Sequence, residues 1–112
     1  MHPVELIQAL ESFPFDELRK KYEGYFEAVL YSHDLMKLYP ILEGFFGAPF
    51  KPAGVAPSRE AQAYAARYGG IQKNQTLYFK NDATNVHCAM IWPWADGSRV
   101  TIKVAHGLVV GK

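Results

Sequence analysis

NQTLYFKNDATNVHCAMIWPWADGSRVTIKVA, residues 74–105, is the stretch that decides the fold. Its three segments NQTLYFK, NVHCAMIW and SRVTIKVA are enriched in β-branched and aromatic residues and follow a period of two. NDATN and ADGS between them are short turn signals, so the chain from residue 71 onward predicts an antiparallel meander. GLVVGK at the end extends the third strand or adds a fourth after Gly107. Both tryptophans of the chain flank Pro93 at the end of the middle segment. Proline has no amide hydrogen to give, so pairing should end at about Trp92 unless the stretch lies on an open edge. A near-extended path then turns Trp92 and Trp94 to the same side, the first toward the core and the second to its rim.

Upstream the period is nearer 3.6. HPVELIQALE places Pro3 in a first helical turn and predicts a short helix ending near Ser12 to Pro14. In DELRKKYEGYFEAVLYSHDLMKLYP, Asp16 can cap a helix whose Leu18, Tyr22, Tyr25, Phe26, Val29 and Leu30 recur at spacings of three and four. Pro40 should stop or kink it before Tyr39, leaving PILEGFF as a separate short helical turn. GAPFKPAGVAP, residues 47–57, must be a loop, and its Phe50 and Val55 predict that it lies ordered against the domain. PSREAQAYAARYGG supplies Ser58 as a cap and Gly69 as a stop for a further main helix. The expected architecture is a single α+β domain over residues 1–112. Residues 1–68 are mainly helical, and the helices pack on one face of a meander of three to four strands over 69–112.

At 112 residues with 49% apolar and 14% aromatic side chains, the chain can build its own core. The single cysteine, Cys88, excludes an intrachain disulfide, and the default expectation is a cytoplasmic protein. MHPVELIQALESFPF lacks a basic leader, and no apolar run reaches the roughly 18 residues of a membrane span, so no membrane partner is expected. Charge divides along the chain: residues 1–50 carry a net −4 and residues 51–112 a net +5. Attraction between the two halves, within the fold or across a dimer, is the plainest account.

Strand parity then proposes a working surface. Val100, Ile102 and Val104 should meet the helices, leaving Thr101, Lys103 and Ala105 outside. By the same logic Leu77 and Phe79 go inward, and Thr76, Tyr78 and Lys80 outward. The middle strand is apolar on both rows, Val86, Cys88, Met90 and Trp92 on one and Ala89 and Ile91 on the other, which predicts partial cover on the outer face. Tyr78, Ala89 and Ile91 would leave apolar area exposed, and this predicts a homodimer, or another protein partner, on the outer sheet face. Lys73, Lys80, Arg99 and Lys103, interleaved with Tyr78 and a tryptophan, offer a surface for single-stranded nucleic acid. The near-neutral isoelectric point and the lack of a recognised motif argue against that partner.

Nothing in the chain stands above background as a catalytic, metal or cofactor motif. Cys88 next to His87 invites a thiol nucleophile, but neighbouring strand residues point to opposite faces, so only His106 or His33 could activate it. His33, Asp34, His87 and His106 lack the close spacing of a metal site. Glu23 and Glu27 form with Arg19 a solvated charged stripe on a helix. Gly54 and the Gly69–Gly70 pair lie outside any strand-to-helix phosphate fingerprint. The reading is a non-enzymatic binding module with no cofactor, whose binding residues are Trp94, Phe50, Tyr78, Lys80, Ile91 and Lys103. The rival is a small-molecule-binding protein or small enzyme with a pocket between the 47–57 loop and the Trp92–Trp94 segment.

Overall fold

Glu23 and Gly24 reverse the chain where a continuous helix is expected. In the computed structural model of the protein, which describes residues 2–82 and 85–108, Glu17–Tyr22 (β1) and Tyr25–Tyr31 (β2) form an antiparallel hairpin closed by the pair Tyr22↔Tyr25. Gly24 is required there twice over. Its φ is +83°, and a Cβ on it would come 2.8 Å from the carbonyl oxygen of His106. The apolar spacing of three and four that reads as a helix also fits two strands once this turn is inserted, because Phe26, Ala28 and Leu30 then line one face with a period of two. Asp16 caps no helix; its carboxylate accepts from Nε of Arg99 at 2.9 Å.

The remaining elements follow the sequence more closely. Pro3–Glu11 (α1) starts at a proline, with His2 as its cap in a reciprocal box with Glu5. Leu35–Phe46 (α2) runs unbroken through Pro40, where a stop was expected. The residue four back, whose carbonyl the proline deprives of a partner, is Met36, with a side chain 74% exposed, so the defect falls on the solvent side while Leu38, Leu42, Phe45 and Phe46 hold the buried stripe. Arg59–Ala65 (α3) is capped by Ser58 and ends in a 3-10 turn, Ala66–Tyr68, stopped by Gly69 at φ +107°. Thr76–Asn81 (β3), Asn85–Pro93 (β4) and Arg99–Leu108 (β5) form the expected meander. Gly107 and Leu108 extend β5 as its last residues, and residues 109–112 lie outside the described part of the chain.

The chain is α+β, with one antiparallel sheet of five strands in the order β1-β2-β5-β4-β3. The first hairpin adds the two strands beyond the expected meander by pairing β2 with β5 over the full length of β2, from Tyr25↔Ala105 to Tyr31↔Arg99. One face is closed: α1 and α2 pack Leu6, Leu10, Leu38, Leu42 and Phe45 on Phe26, Ala28, Tyr78, Ala89, Ile91, Ile102 and Val104. The other face is half open. There α3 sets Ala61 and Ala65 on Leu77, Cys88, Met90 and Ala105, covering the β3–β4 side. The 47–57 loop closes the β3 edge through a bridge between Lys51 and Leu77, as an ordered loop should. No described helix is long and apolar enough to cross a membrane.

The face assignment in β3 is the reverse of the expected one. Tyr78 belongs to the closed face with the helices, and Leu77 and Phe79 belong to the half-open face with α3. The reversal has a simple cause. With helices on both faces of this end of the sheet, apolarity no longer marks a single inward row. In β5 the expected parity holds, with Val100, Ile102 and Val104 under the helices.

Candidate binding face

Cross-strand register arranges the half-open face in rows. Glu17, Val29, Thr101 and Trp92 form one; Lys20, Glu27, Lys103 and Met90 the next; Tyr22, Tyr25, Ala105 and Cys88 a third. Where α3 ends, the sheet emerges and these rows carry tyrosine, tryptophan and cations. Arg67 and Tyr68, in the 3-10 turn after α3, overhang the boundary. β1 is the free edge, with all six residues exposed, including Leu18 at 55% and Tyr22 at 63%. Register slips between Leu18 and Lys20, and this bulge with the run Arg19, Lys20, Lys21 resists pairing by a further strand.

The opening tryptophans sit on this face. Trp92 is half-buried beside α3, its ring 2.7 Å from where a Cβ on Gly69 would lie, so the glycine stop of α3 is also the seat of the indole. The amino group of Lys103 lies 3.5 Å from the Trp92 ring centroid and donates to the Tyr68 carbonyl at 3.1 Å. Burial lowers the basicity of that amine. Trp94 Nε1 donates to Thr101 Oγ1 at 2.9 Å, and the guanidinium carbons of Arg19 and Arg99 each lie 5.8 Å from its ring. Both indoles therefore share a side, as the proline geometry predicts. Pro93 still pairs with Val100 of β5, but β3 begins opposite Ile91, so the proline's nitrogen faces an open edge.

The six sequence-derived binding residues scatter. Lys103 and Trp94 belong to the open half of the face. Tyr78 and Ile91 are buried under α1 and α2, with the Tyr78 hydroxyl donating to Glu43 Oε2 at 3.0 Å. Lys80 is on the closed face too, donating to the Phe45 carbonyl at 3.1 Å, so it does not share a surface with Arg99 and Lys103. Phe50 packs on Tyr64 and Phe79 at the β3 edge, and Phe79 pairs with Cys88, six residues along β4 from Trp94. At about 3.3 Å per residue that is roughly 20 Å, so Phe50 and Trp94 are not neighbours. Lys51, which the sequence reading passed over, is buried and donates to the carbonyls of Lys73 and Gln75 at 2.6 and 2.5 Å. It ties the loop to the sheet edge, and burial lowers its basicity. A lysine between two prolines in a loop gives no local sign of this.

Cys88 and the histidines are separated by the sheet. Cys88 pairs with Ala105 on the half-open face, and burial pushes its thiol up to about 11, away from the thiolate a nucleophile needs. His87 and His106 pair across β4 and β5 on the closed face, so neither activates Cys88. Their Nδ1 atoms are 2.6 Å apart, and His87 Nε2 lies 3.2 Å from Asp82 Oδ2. One ring donates and the other accepts across the Nδ1 pair, the tautomer setting which. His106 Nε2 is buried without a partner. Burial, then the neighbouring His87, pull His106 down to about 4. His33 stands apart at the start of α2 beside Asp34, and no cluster of three metal-ligating side chains occurs among the described residues. Glu23 and Glu27 lie on the first hairpin rather than on a helix, and Glu27 accepts from the Tyr25 hydroxyl at 2.7 Å.

No protein-family model, curated protein or solved structure significantly matches the chain.

Proposed function

We propose that the chain is a non-enzymatic protein-interaction module whose half-open sheet face receives a partner with an acidic surface. One observation carries the reading: the part of the sheet that no helix covers is populated by Tyr22, Tyr31, Trp94, Arg19 and Arg99. Tyrosine, tryptophan and arginine are the residues that concentrate binding energy at protein interfaces, because they combine large rigid area with a polar end. The Trp94 indole is already oriented by Thr101 and flanked by two guanidinium groups, so little ordering remains for a partner to supply. A second copy fits less well. The apolar row Tyr78, Ala89 and Ile91 that favoured a homodimer is covered by α1 and α2, and twofold packing of the open rows would bring Arg19, Lys20 and Lys103 toward their own counterparts.

The test is capture by the tagged chain from a lysate of its source cells, with two comparison variants. Arg19→Glu combined with Tyr31→Glu reverses the open face, while Met36→Glu changes the exposed flank of α2. A polypeptide held by the wild type and by Met36→Glu, released by salt and lost on the reversed face, supports the proposal. Equal retention by all three, or none, overturns it. Sedimentation of the chain alone should show a monomer at micromolar concentration. A dimer abolished by the face reversal would replace the acidic partner with a second copy.

A further inference from the structure

The half-open face is hollowed where β1, β2 and β5 meet the 3-10 turn after α3, in an open cavity of about 390 Å³. Lys20, Arg67 and Lys103 approach this cavity from three different elements. Among the described residues no carboxylate forms an ion pair with any of them. The one acid in the lining, Glu27, is engaged by the Tyr25 hydroxyl at 2.7 Å and has Arg19 Nη1 at 3.9 Å. We propose that this cavity binds a phosphate monoester carried on a group with an aromatic ring.

Charge selects the phosphate. Three cations against one acid leave two positive charges, which a monoester of charge about −1.5 to −2 balances and a carboxylate does not. The donor chemistry agrees: Arg67 offers a planar fork to paired oxygens, and Lys103 has spent one N–H on the Tyr68 carbonyl and turns its charge against Trp92. The ring follows from the rest of the lining. Tyr22 lies 5.5 Å from Tyr25, and Tyr25 lies 6.1 Å from Tyr68 with the two rings nearly parallel, so the walls beyond the cations are aromatic. The inference rests on reading this face as a binding surface. Its ligand chemistry is common to a phosphotyrosine on a protein partner and to a free nucleotide.

Titration of the isotope-labelled full chain by NMR tests the cavity without a partner, using phosphotyrosine, tyrosine, inorganic phosphate and adenosine monophosphate as probes. Phosphotyrosine should saturate with a Kd on the order of 0.1–1 mM, about tenfold tighter than inorganic phosphate, and tyrosine should give no saturable shifts. Arg67→Gln and Lys103→Gln should each weaken phosphotyrosine about tenfold while the amide spectrum elsewhere stays native. Adenosine monophosphate binding tenfold tighter than phosphotyrosine keeps the proposal and makes a free nucleotide the source. No saturable binding of either ester, no advantage over inorganic phosphate, or unchanged affinity in both variants overturns it. Tyr31→Glu alone separates the two proposals, because Tyr31 packs on His33 and Arg99 and touches none of the cavity lining: it should weaken the protein partner and keep phosphotyrosine.

Discussion

The two faces of the sheet differ in how completely they are covered, and the difference separates what holds the fold from what is left for binding. On the closed face α1 and α2 bury rows from β2, β5, β4 and β3, and most of its polar members are engaged: the Tyr78 hydroxyl with Glu43, Lys80 with the Phe45 carbonyl, His87 with His106 and Asp82. On the half-open face α3 is only seven residues long and reaches β3 and β4. Beyond it, cations and aromatic rings contact each other and water. Buried apolar area stabilises roughly in proportion to its extent, so stability should concentrate on the closed face.

The largest effect should come from charging that face. Ile91→Lys puts an unpaired ammonium under α1 and α2 and should destabilise by about 4 kcal/mol or more, or prevent folding. Lys103→Gln, at the neighbouring register position on the other face, should change stability by less than about 1 kcal/mol. Urea denaturation of the two proteins makes the comparison. Similar losses would show that the two faces contribute alike.

The tryptophans grade the half-open face from its covered side to its rim. Trp92→Ala removes an indole packed beneath α3 and should cost about 2–4 kcal/mol. Trp94→Ala loses one hydrogen bond and a rim contact, about 1–2 kcal/mol. Fluorescence of Trp92→Phe reports Trp94 alone, and a blue-shifted, unquenchable signal would place Trp94 in the core and remove it from the binding face.

Acid should weaken the closed face through His106. Its folded pKa of about 4 lies below the ordinary 6.5, so the unfolded chain binds the extra proton between these values. The stabilisation is present above about 6.5 and is lost as pH falls toward 4. Because the imidazole is partly exposed, the loss should be about 1–2 kcal/mol rather than the full shift. Denaturation at pH 7 and pH 5 measures it, and His106→Gln should flatten the dependence.

Cys88 offers the smallest perturbation, a kinetic one. Its raised thiol pKa and its place beneath α3 predict that a disulfide reagent at pH 8 reacts only as fast as the protein opens. Rapid modification of the folded chain would revive a reactive-cysteine reading.

The meander was legible because strand alternation and the turn residues of ADGS are local properties, and so were the capped ends of α1 and α3. The first hairpin was not. A window around residues 16–31 sees spacings that suit a helix, and what outweighs them is the pairing of β2 with β5, some 75 residues downstream. Pro40 misled for a related reason, since the helical stripe around it is buried and its own side faces solvent. Of the site, sequence placed Lys103 and Trp94 on the open surface. Lys20, Arg67 and Tyr68 were invisible as partners of Lys103 because β1, the turn after α3 and β5 lie far apart in the sequence.

By itself, then, the sequence determined the α+β class, the three C-terminal strands and the shared side of the two indoles, all consequences of backbone geometry over a few residues. Only the tertiary structure decided which face each row of β3 and β4 takes, that α3 covers half of the second face, and that the cations of β1, β5 and the turn after α3 converge. Those choices depend on which distant apolar surfaces bury one another, and no local periodicity encodes that.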